Sequence, residues 1–247
     1  MAVARKIPYI ANRPMGFCPG CGHGVVIRLI TEALEELGQD KNIIFGIGVG
    51  CSSLLGGGLN CDRQHCPHGR AGAVCTGMKR VNPDNVIISY QGDGDAYSIG
   101  IGESTSAAYR NERFTTIVIN NTNYGMTGGQ MSQTTLPGQK TSTTVAGRDC
   151  DLTGMPMHFP EMIAHSFHLS YVARGSVASV KDIIQAKKFI KKAIEVQLSG
   201  EGYSFVEILS PCPTNWHMTP VQAMEHIEKV VKPYFPICEF KVPDAKE

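Results

Sequence analysis

The apolar run VIISYQGDGD ends in Gly92, Asp93 and Gly94, and a second run, TTIVINN, ends in Asn120 and Asn121. A carboxylate and an amide oxygen at the ends of two neighbouring parallel strands are donors that a hard divalent cation takes, and the glycines let the backbone close in on a diphosphate. This pairing points to Mg²⁺ rather than zinc. Two ordinary strand-to-helix turns would read the same way, because GDG on its own is common. The cysteines form a second constellation. FCPGCGH sets Cys18 and Cys21 two residues apart, a spacing that suits a zinc site, an iron-sulfur cluster or a redox dithiol. The dithiol is the least favoured, since that motif follows a strand and nothing strand-like precedes it here. Cys51 ends one apolar run (GIGVGCSS) and Cys212 follows another (EILSPCPTN), so both can reach the same carboxyl edge as Asp93. Cys61 and Cys66 could belong to a second site or be plain buried thiols, and with Cys75, Cys150 and Cys238 they read as structural.

These residues need a scaffold that brings strand ends together. GVVIRLITEALEELG carries Val26, Leu29, Ile30, Ala33, Leu34 and Leu37 at helical spacing with Gly38 as a stop. IIFGIGV follows as a short buried strand, then a Cys- and Gly-rich loop, then a helix near Gly69 to Val81 ended by Asn82-Pro83. A strand over 86–91, a small-residue helix in SIGIGESTSAAYR and a strand over 115–120 come next. The polar stretch from Asn121 to about Met157 is too long for a simple connection and reads as a functional loop. A helix near 160–168, a strand over 170–173, a helix from the Ser179 N-cap to Leu198, the strand YSFVEIL and a last helix around 220–231 complete the chain. Strands alternating with helices predict an α/β fold, a mostly parallel sheet covered on both faces, with ligands beyond the carboxyl ends of its strands.

At 247 residues the chain can bury one full core, and residues 1–247 read as one domain with a cysteine-bearing N-terminal segment and a C-terminal tail. A net charge of +1 leaves no electrostatic footprint for nucleic acid or an anionic membrane. No apolar stretch is long enough to span a membrane, and the start, MAVARKIPYIANRP, lacks the apolar centre of a secretion signal. A cytoplasmic location follows as the expectation, and nine cysteines in a reducing compartment then point to metal or redox use.

CPGCGH, GCS at 50–52, HGRA at 68–71, GDGD at 92–95, NNTNYGMTGGQ at 120–130 and SPCP at 210–213 resemble, in order, the β subunit of the 2-oxoacid:ferredoxin oxidoreductases. The resemblance covers residues from about 12 to 215 and implies the thiamine diphosphate-binding fold in its diphosphate-binding form. It implies that Asp93, the Asn121 side chain and the Asn123 main-chain carbonyl hold Mg²⁺ against the diphosphate of thiamine diphosphate. Gly92, Gly94 and Asp95 would shape that cradle, and Gly125, Met126 and Thr127 would continue it. Gly50, Cys51, Ser52 and His68 would line the cofactor pocket, with His68 the one candidate in this chain for a catalytic role. Cys18, Cys21, Cys51 and Cys212 would ligate a 4Fe-4S cluster.

The implied reaction is oxidative decarboxylation of a 2-oxoacid with coenzyme A, giving acyl-CoA and CO2, the electrons passing through the cluster to ferredoxin. An α subunit would have to complete the active site, because a chain carrying the diphosphate half cannot also grip the aminopyrimidine, and γ and ferredoxin-like δ subunits are further implied partners. GIGVGCSSLLGGGLN holds no Lys or Arg, and Leu54 and Leu55 stand where a cation could have met a distal carboxylate. A substrate such as 2-oxoisovalerate or pyruvate is therefore favoured over 2-oxoglutarate. Two other readings are a non-redox thiamine-dependent decarboxylase or synthase subunit, and an electron-transfer module that uses the cluster alone. NCDRQHCPHGRAGAVC also carries cysteines beyond the family pattern, which leaves a second metal site or an oxidation-sensitive loop open.

Overall fold

The computed structural model describes residues 7–11, 15–55 and 57–243. Most of the start that bears on a secretion signal, residues 1–6 and 12–14, lies outside the described residues, as do Gly56 and residues 244–247.

The elements run α1 (His23–Glu36), β1 (Ile43–Ile47), β2 (Asp62–His65), α2 (Ala71–Val81), β3 (Val86–Gly92), α3 (Ile101–Tyr109), β4 (Thr115–Asn120), α4 (Cys150–Thr153), α5 (Phe159–Ser166), β5 (Tyr171–Ser176), α6 (Val180–Leu198), β6 (Ser204–Leu209), α7 (Pro213–Trp216), α8 (Pro220–His226), α9 (Lys232–Tyr234) and β7 (Cys238–Lys241). All seven strands join one sheet in the order β2-β1-β3-β4-β6-β5-β7. Every neighbouring pair is parallel except β5 and β7, which run antiparallel. A parallel sheet needs cover on both faces. The period of two delivers it within each strand: Ile88, Tyr90, Ile117 and Ile119 pack under α1 and α6, while Ile87 and Val118 pack under α2, α3 and α5.

The helix boundaries follow local chemistry. Gly38 takes a φ of +68° just past α1, the left-handed stop that its sequence position suggests. Ser179 caps α6 by accepting from the Asp182 N–H at 3.2 Å, a contact that contributes about 1 kcal/mol.

Three features depart from the sequence reading. The Cys- and Gly-rich loop holds a short 3-10 turn (Cys51–Leu55) and the edge strand β2, whose residues DRQH are all exposed and so carry no apolar signal. Strand β7 adds an antiparallel edge that the tail does not announce. The long loop after β4 is mostly irregular but ordered around the buried Arg148, which donates to the carbonyls of Ser132 at 3.4 Å and of Gly154 at 2.8 Å. It also contains α4.

Candidate functional site

The chain passes through the sheet so that β1, β3, β4 and β6 lie side by side. Cys51 follows the carboxyl end of β1, Asp93 that of β3, Asn121 that of β4 and Cys212 that of β6. Residues far apart in the sequence thus share one edge, at the crevice where parallel sheets bind ligands.

At its centre three oxygens face one another. The Asn121 side-chain oxygen lies 2.7 Å from the Asn123 carbonyl oxygen and 3.3 Å from Asp93 Oδ1, distances at which its amide nitrogen would donate if the group were turned over. Neighbouring oxygens around an octahedral Mg²⁺ with bonds of about 2.1 Å stand about 3 Å apart. With its oxygen turned inward, the Asn121 amide completes a set of three acceptors that fits a hard cation.

Asp93 is held in place by the long loop. Its Oδ2 accepts from Ser132 Oγ at 2.8 Å and from the Thr134 hydroxyl. Burial pushes its carboxyl up to about 6, with the charge of Glu207 adding to the rise, while the Thr134, Ser132 and Gly94 donors pull against it. A cation bound at these oxygens would compensate that buried charge.

Behind the clamp lies a buried network. Arg174, fully buried, donates from Nε to Glu207 and from both terminal nitrogens to Glu161 at 2.7 Å. Glu207 also accepts from Tyr97 and from Asn120 Nδ2, each at 3.1 Å. Asn120 Oδ1 in turn accepts from the Thr122 N–H at 3.1 Å, which ties the network to the turn that presents Asn121.

A cleft opens at this edge. Among the predicted cofactor residues, Gly50, Cys51, His68, Gly92, Asp93, Gly94, Asp95, Asn121, Asn123, Gly125, Met126 and Thr127 line it. Ser52 does not: its hydroxyl donates back to the Gly48 carbonyl at 2.8 Å and closes the 3-10 turn. Leu54 and Leu55 are likewise absent from the lining, and Leu55 is a core residue. No Lys or Arg lines the cleft among the described residues. Asp95 lines the cleft and also orients His68: its carboxylate accepts from the His68 ring, the Gly69 N–H at 2.8 Å and Gln91 Nε2 at 2.6 Å.

Of the four predicted cluster thiols, Cys51 lines the cleft, and Cys18, Cys21 and Cys212 lie near enough to it to interact electrostatically. Gly20 sits so close to Pro220 that a Cβ there would lie 2.6 Å from its ring, which packs the Cys18–Cys21 turn onto the segment that carries Cys212. Gly125 brings the long loop to Cys51, whose sulfur would be 2.9 Å from an added Cβ. Burial pushes the Cys51 thiol up to about 12, and Cys212, Cys21, Cys18 and Asp93 each raise it further by repulsion. Burial likewise pushes Cys21 to about 11, with Cys212 and Cys18 adding to it. The thiols therefore lie within electrostatic reach of one another. Among the described residues no three His, Cys, Asp or Glu side chains gather closely enough to hold a single ion. Cys66 and Cys75 are buried against Gly46, away from this group, and together with Cys61, Cys150 and Cys238 they are unpaired thiols.

Several functional positions escape the sequence reading. Ser132 and Thr134 have no signal in their spacing from Asp93. Asn215 Nδ2 braces the site by donating to the Gly125 carbonyl at 2.8 Å and to Cys212 Sγ at 3.5 Å. His23, Val49 and Tyr124 also line the cleft. His23 is visible only as the last letter of CPGCGH; burial holds its imidazole down to about 3.

Comparison with known proteins places the geometry in context. Residues 48–208 match the family described as thiamine pyrophosphate enzyme, C-terminal TPP binding domain. A ketoisovalerate oxidoreductase subunit, VorA, of Methanothermobacter thermautotrophicus is 42% identical over 93% of this chain and 48% of its own length. The chain thus spans about half the length of that relative. A 2-oxoglutarate synthase subunit, KorB, of the same organism is 38% identical over 91% of this chain and 78% of its own length. The solved 2-oxoglutarate:ferredoxin oxidoreductase of Magnetococcus marinus, with 2-oxoglutarate, coenzyme A and succinyl-CoA bound, superposes with a TM-score of 0.77 at 28% identity, covering 99% of this chain and 88% of that one. No helix among the described residues is long and apolar enough to cross a membrane.

Proposed function

The chain belongs to the family of thiamine pyrophosphate-binding β subunits of 2-oxoacid:ferredoxin oxidoreductases, and from that membership we propose that it forms half of an enzyme converting a 2-oxoacid and coenzyme A to acyl-CoA and CO2, with ferredoxin as the electron acceptor. The observation that carries the proposal is the convergence of the Asp93 carboxylate, the Asn121 side-chain amide and the Asn123 carbonyl at the ends of adjacent strands. These three hold Mg²⁺, and Gly92, Gly94, Gly125 and Thr127 let the backbone approach the diphosphate of thiamine diphosphate. Met126 packs against the cofactor.

Cys18, Cys21, Cys51 and Cys212 hold a 4Fe-4S cluster in this reading. Thiols on a single tetrahedral zinc, with bonds of about 2.3 Å, stand only about 3.8 Å apart. Thiolates on separate irons of a cluster stand farther from one another, and the four thiols lie within electrostatic reach of one another. When bound, thiamine diphosphate supplies the electron sink for decarboxylation and the cluster accepts the two electrons one at a time.

The chain's own residues position and shield. Asp95 fixes the His68 ring at the cleft, and Ser132 and Thr134 keep Asp93 aimed at the metal. Val49 and Met126 stand exposed at the cleft, in keeping with an α subunit that closes over them and excludes water. The substrate we favour is 2-oxoisovalerate. The ketoisovalerate relatives support it, as does a cleft lined without Lys or Arg to meet a distal carboxylate.

The test is a substrate screen on the chain co-purified with its partner subunits, run without oxygen with coenzyme A and a low-potential dye. Turnover led by 2-oxoisovalerate is the expected result, with Asp93→Ala abolishing it while broad absorption near ~400 nm persists. Preference for 2-oxoglutarate would overturn the substrate assignment. Full activity of Asp93→Ala, or a colourless preparation, would overturn the site assignments.

A further inference from the structure

His23 lies at the first position of α1, beside the Cys18–Cys21 turn, and its ring is 1% exposed yet lines the cleft. It stacks on Phe17 with ring centroids 4.9 Å apart and planes 14° apart, so its orientation is fixed. Its Nδ1 lies 2.7 Å from the hydroxyl of Tyr90. Nε2 has no hydrogen-bond partner among the described residues.

The Tyr90 hydroxyl settles which nitrogen carries the proton. Tyr90 is fully buried in β3, and His23 Nδ1 is the one polar atom among the described residues within hydrogen-bonding distance of its oxygen. A buried hydroxyl whose proton lacks an acceptor is strongly disfavoured. If Nδ1 carried a hydrogen, the Tyr90 proton would have nowhere to go. The hydroxyl therefore donates, Nδ1 accepts, and the ring is the tautomer with its hydrogen on Nε2. A rigid donor, held by a stack on one side and a hydroxyl on the other, is left for whatever occupies the cleft.

We propose that His23 Nε2–H donates a hydrogen bond to an anionic oxygen of the ligand in this cleft, and that Tyr90 is the positioning residue that fixes the tautomer. The inference rests on the cleft being the cofactor and substrate site. Two ligands could bring such an oxygen there, the cofactor through its diphosphate and the 2-oxoacid through its carboxylate. No protein acceptor among the described residues competes for the donor, so its geometry serves the bound state alone.

The experiment uses the co-purified subunit assembly with His23→Phe, which keeps the stacking ring, and His23→Gln, whose side-chain amide restores a donor near Nε2. Tyr90→Phe removes the tautomer lock. Binding of Mg²⁺ and thiamine diphosphate is followed by calorimetry, and KM and kcat by dye reduction. Loss of one charge-assisted bond predicts about a ten- to hundredfold effect. If the diphosphate is the acceptor, His23→Phe weakens thiamine diphosphate binding by that factor. If the 2-oxoacid is the acceptor, cofactor binding is unchanged and kcat/KM falls by that factor. In both cases His23→Gln recovers much of the loss and Tyr90→Phe shows an intermediate one. The proposal is overturned if His23→Phe leaves both readouts unchanged, or if His23→Gln is no better than His23→Phe. It is also overturned if the effect appears only in the cluster's electron paramagnetic resonance signal. Failure of the proposed function itself would show separately, as absent turnover and absent thiamine diphosphate binding in the parent assembly.

Discussion

Replacing Arg174 by Met tests the buried network that stands behind the Asp93 and Asn121 turns. Arg174 and Glu207 are both fully buried, and Arg174 bonds to Glu207 through Nε and to Glu161 through both terminal nitrogens. The substitution keeps an apolar stem under the Phe235 and Phe240 rings, whose centroids lie 5.2 Å and 5.0 Å from the guanidinium. It leaves Glu207 with only the Tyr97 and Asn120 donors. Removing one partner of a buried pair costs about 3–5 kcal/mol, because the other charge stays buried without compensation. Glu161, with 30% of its side chain exposed, can turn to water and adds little. Hydrogen exchange of the β5 and β6 amides in the assembled enzyme reads this directly. At about 1.4 kcal/mol per factor of ten, exchange should quicken roughly a hundred- to four-thousandfold. Glu207→Gln should also destabilise, since an amide in that position leaves either Arg174 or Asn120 facing a donor. Arg174→Met combined with Glu207→Met should recover part of the loss. Unchanged exchange in Arg174→Met would refute the assignment of Arg174 as the counter-charge of Glu207.

Further outcomes follow from the same geometry. Ser132→Ala with Thr134→Val removes two hydroxyl donors from Asp93, and at about 1.5–3 kcal/mol for each bond to a charged group calorimetry should show Mg²⁺ and thiamine diphosphate binding weakened at least tenfold. Gly125→Ala pushes a methyl to within 2.9 Å of Cys51 Sγ, so the paramagnetic resonance of the reduced cluster should change shape while β-strand hydrogen exchange stays as in the parent. Burial pushes the Glu161 carboxyl up, but the hydrogen bonds and charge of Arg174 together outweigh it and hold the group below the ordinary 4.5. Its folded-state pKa is thus depressed, so its contribution to stability is present above 4.5 and is lost as the pH falls through the lower folded value. Melting curves from about pH 6 to 3 should show a smaller acid-induced drop for Glu161→Gln.

The sequence was most legible where one short-range pattern decided the structure. The 3.6-residue period of α1, the Ser179 cap of α6 and the apolar runs of β3 and β4 each carry their own signal. Edge strands β2 and β7 do not, because an exposed or half-buried edge has no apolar face to declare. The Asp93 turn and the Cys18–Cys21 pair were legible as chemistry, since their residue types and spacing limit what they can bind. Ser52 does not line the pocket as expected, because its proximity in sequence to Cys51 says nothing about which way its hydroxyl turns.

By itself, the sequence determined the strand-and-helix alternation, the two glycine-rich and asparagine-rich turns and the order of the cysteine motifs, all properties of residues within a few positions of one another. Only the tertiary structure decided that Cys51, Asp93, Asn121 and Cys212 meet at one edge, because that depends on β6 inserting between β4 and β5. Only it could give Asp93 its hydroxyl donors from Ser132 and Thr134, or bring the Tyr90 hydroxyl, 67 residues away, to His23 Nδ1. Hydrogen-bond partners in a buried site are chosen by what the packed chain leaves within about 3 Å, and that choice is written in no local pattern.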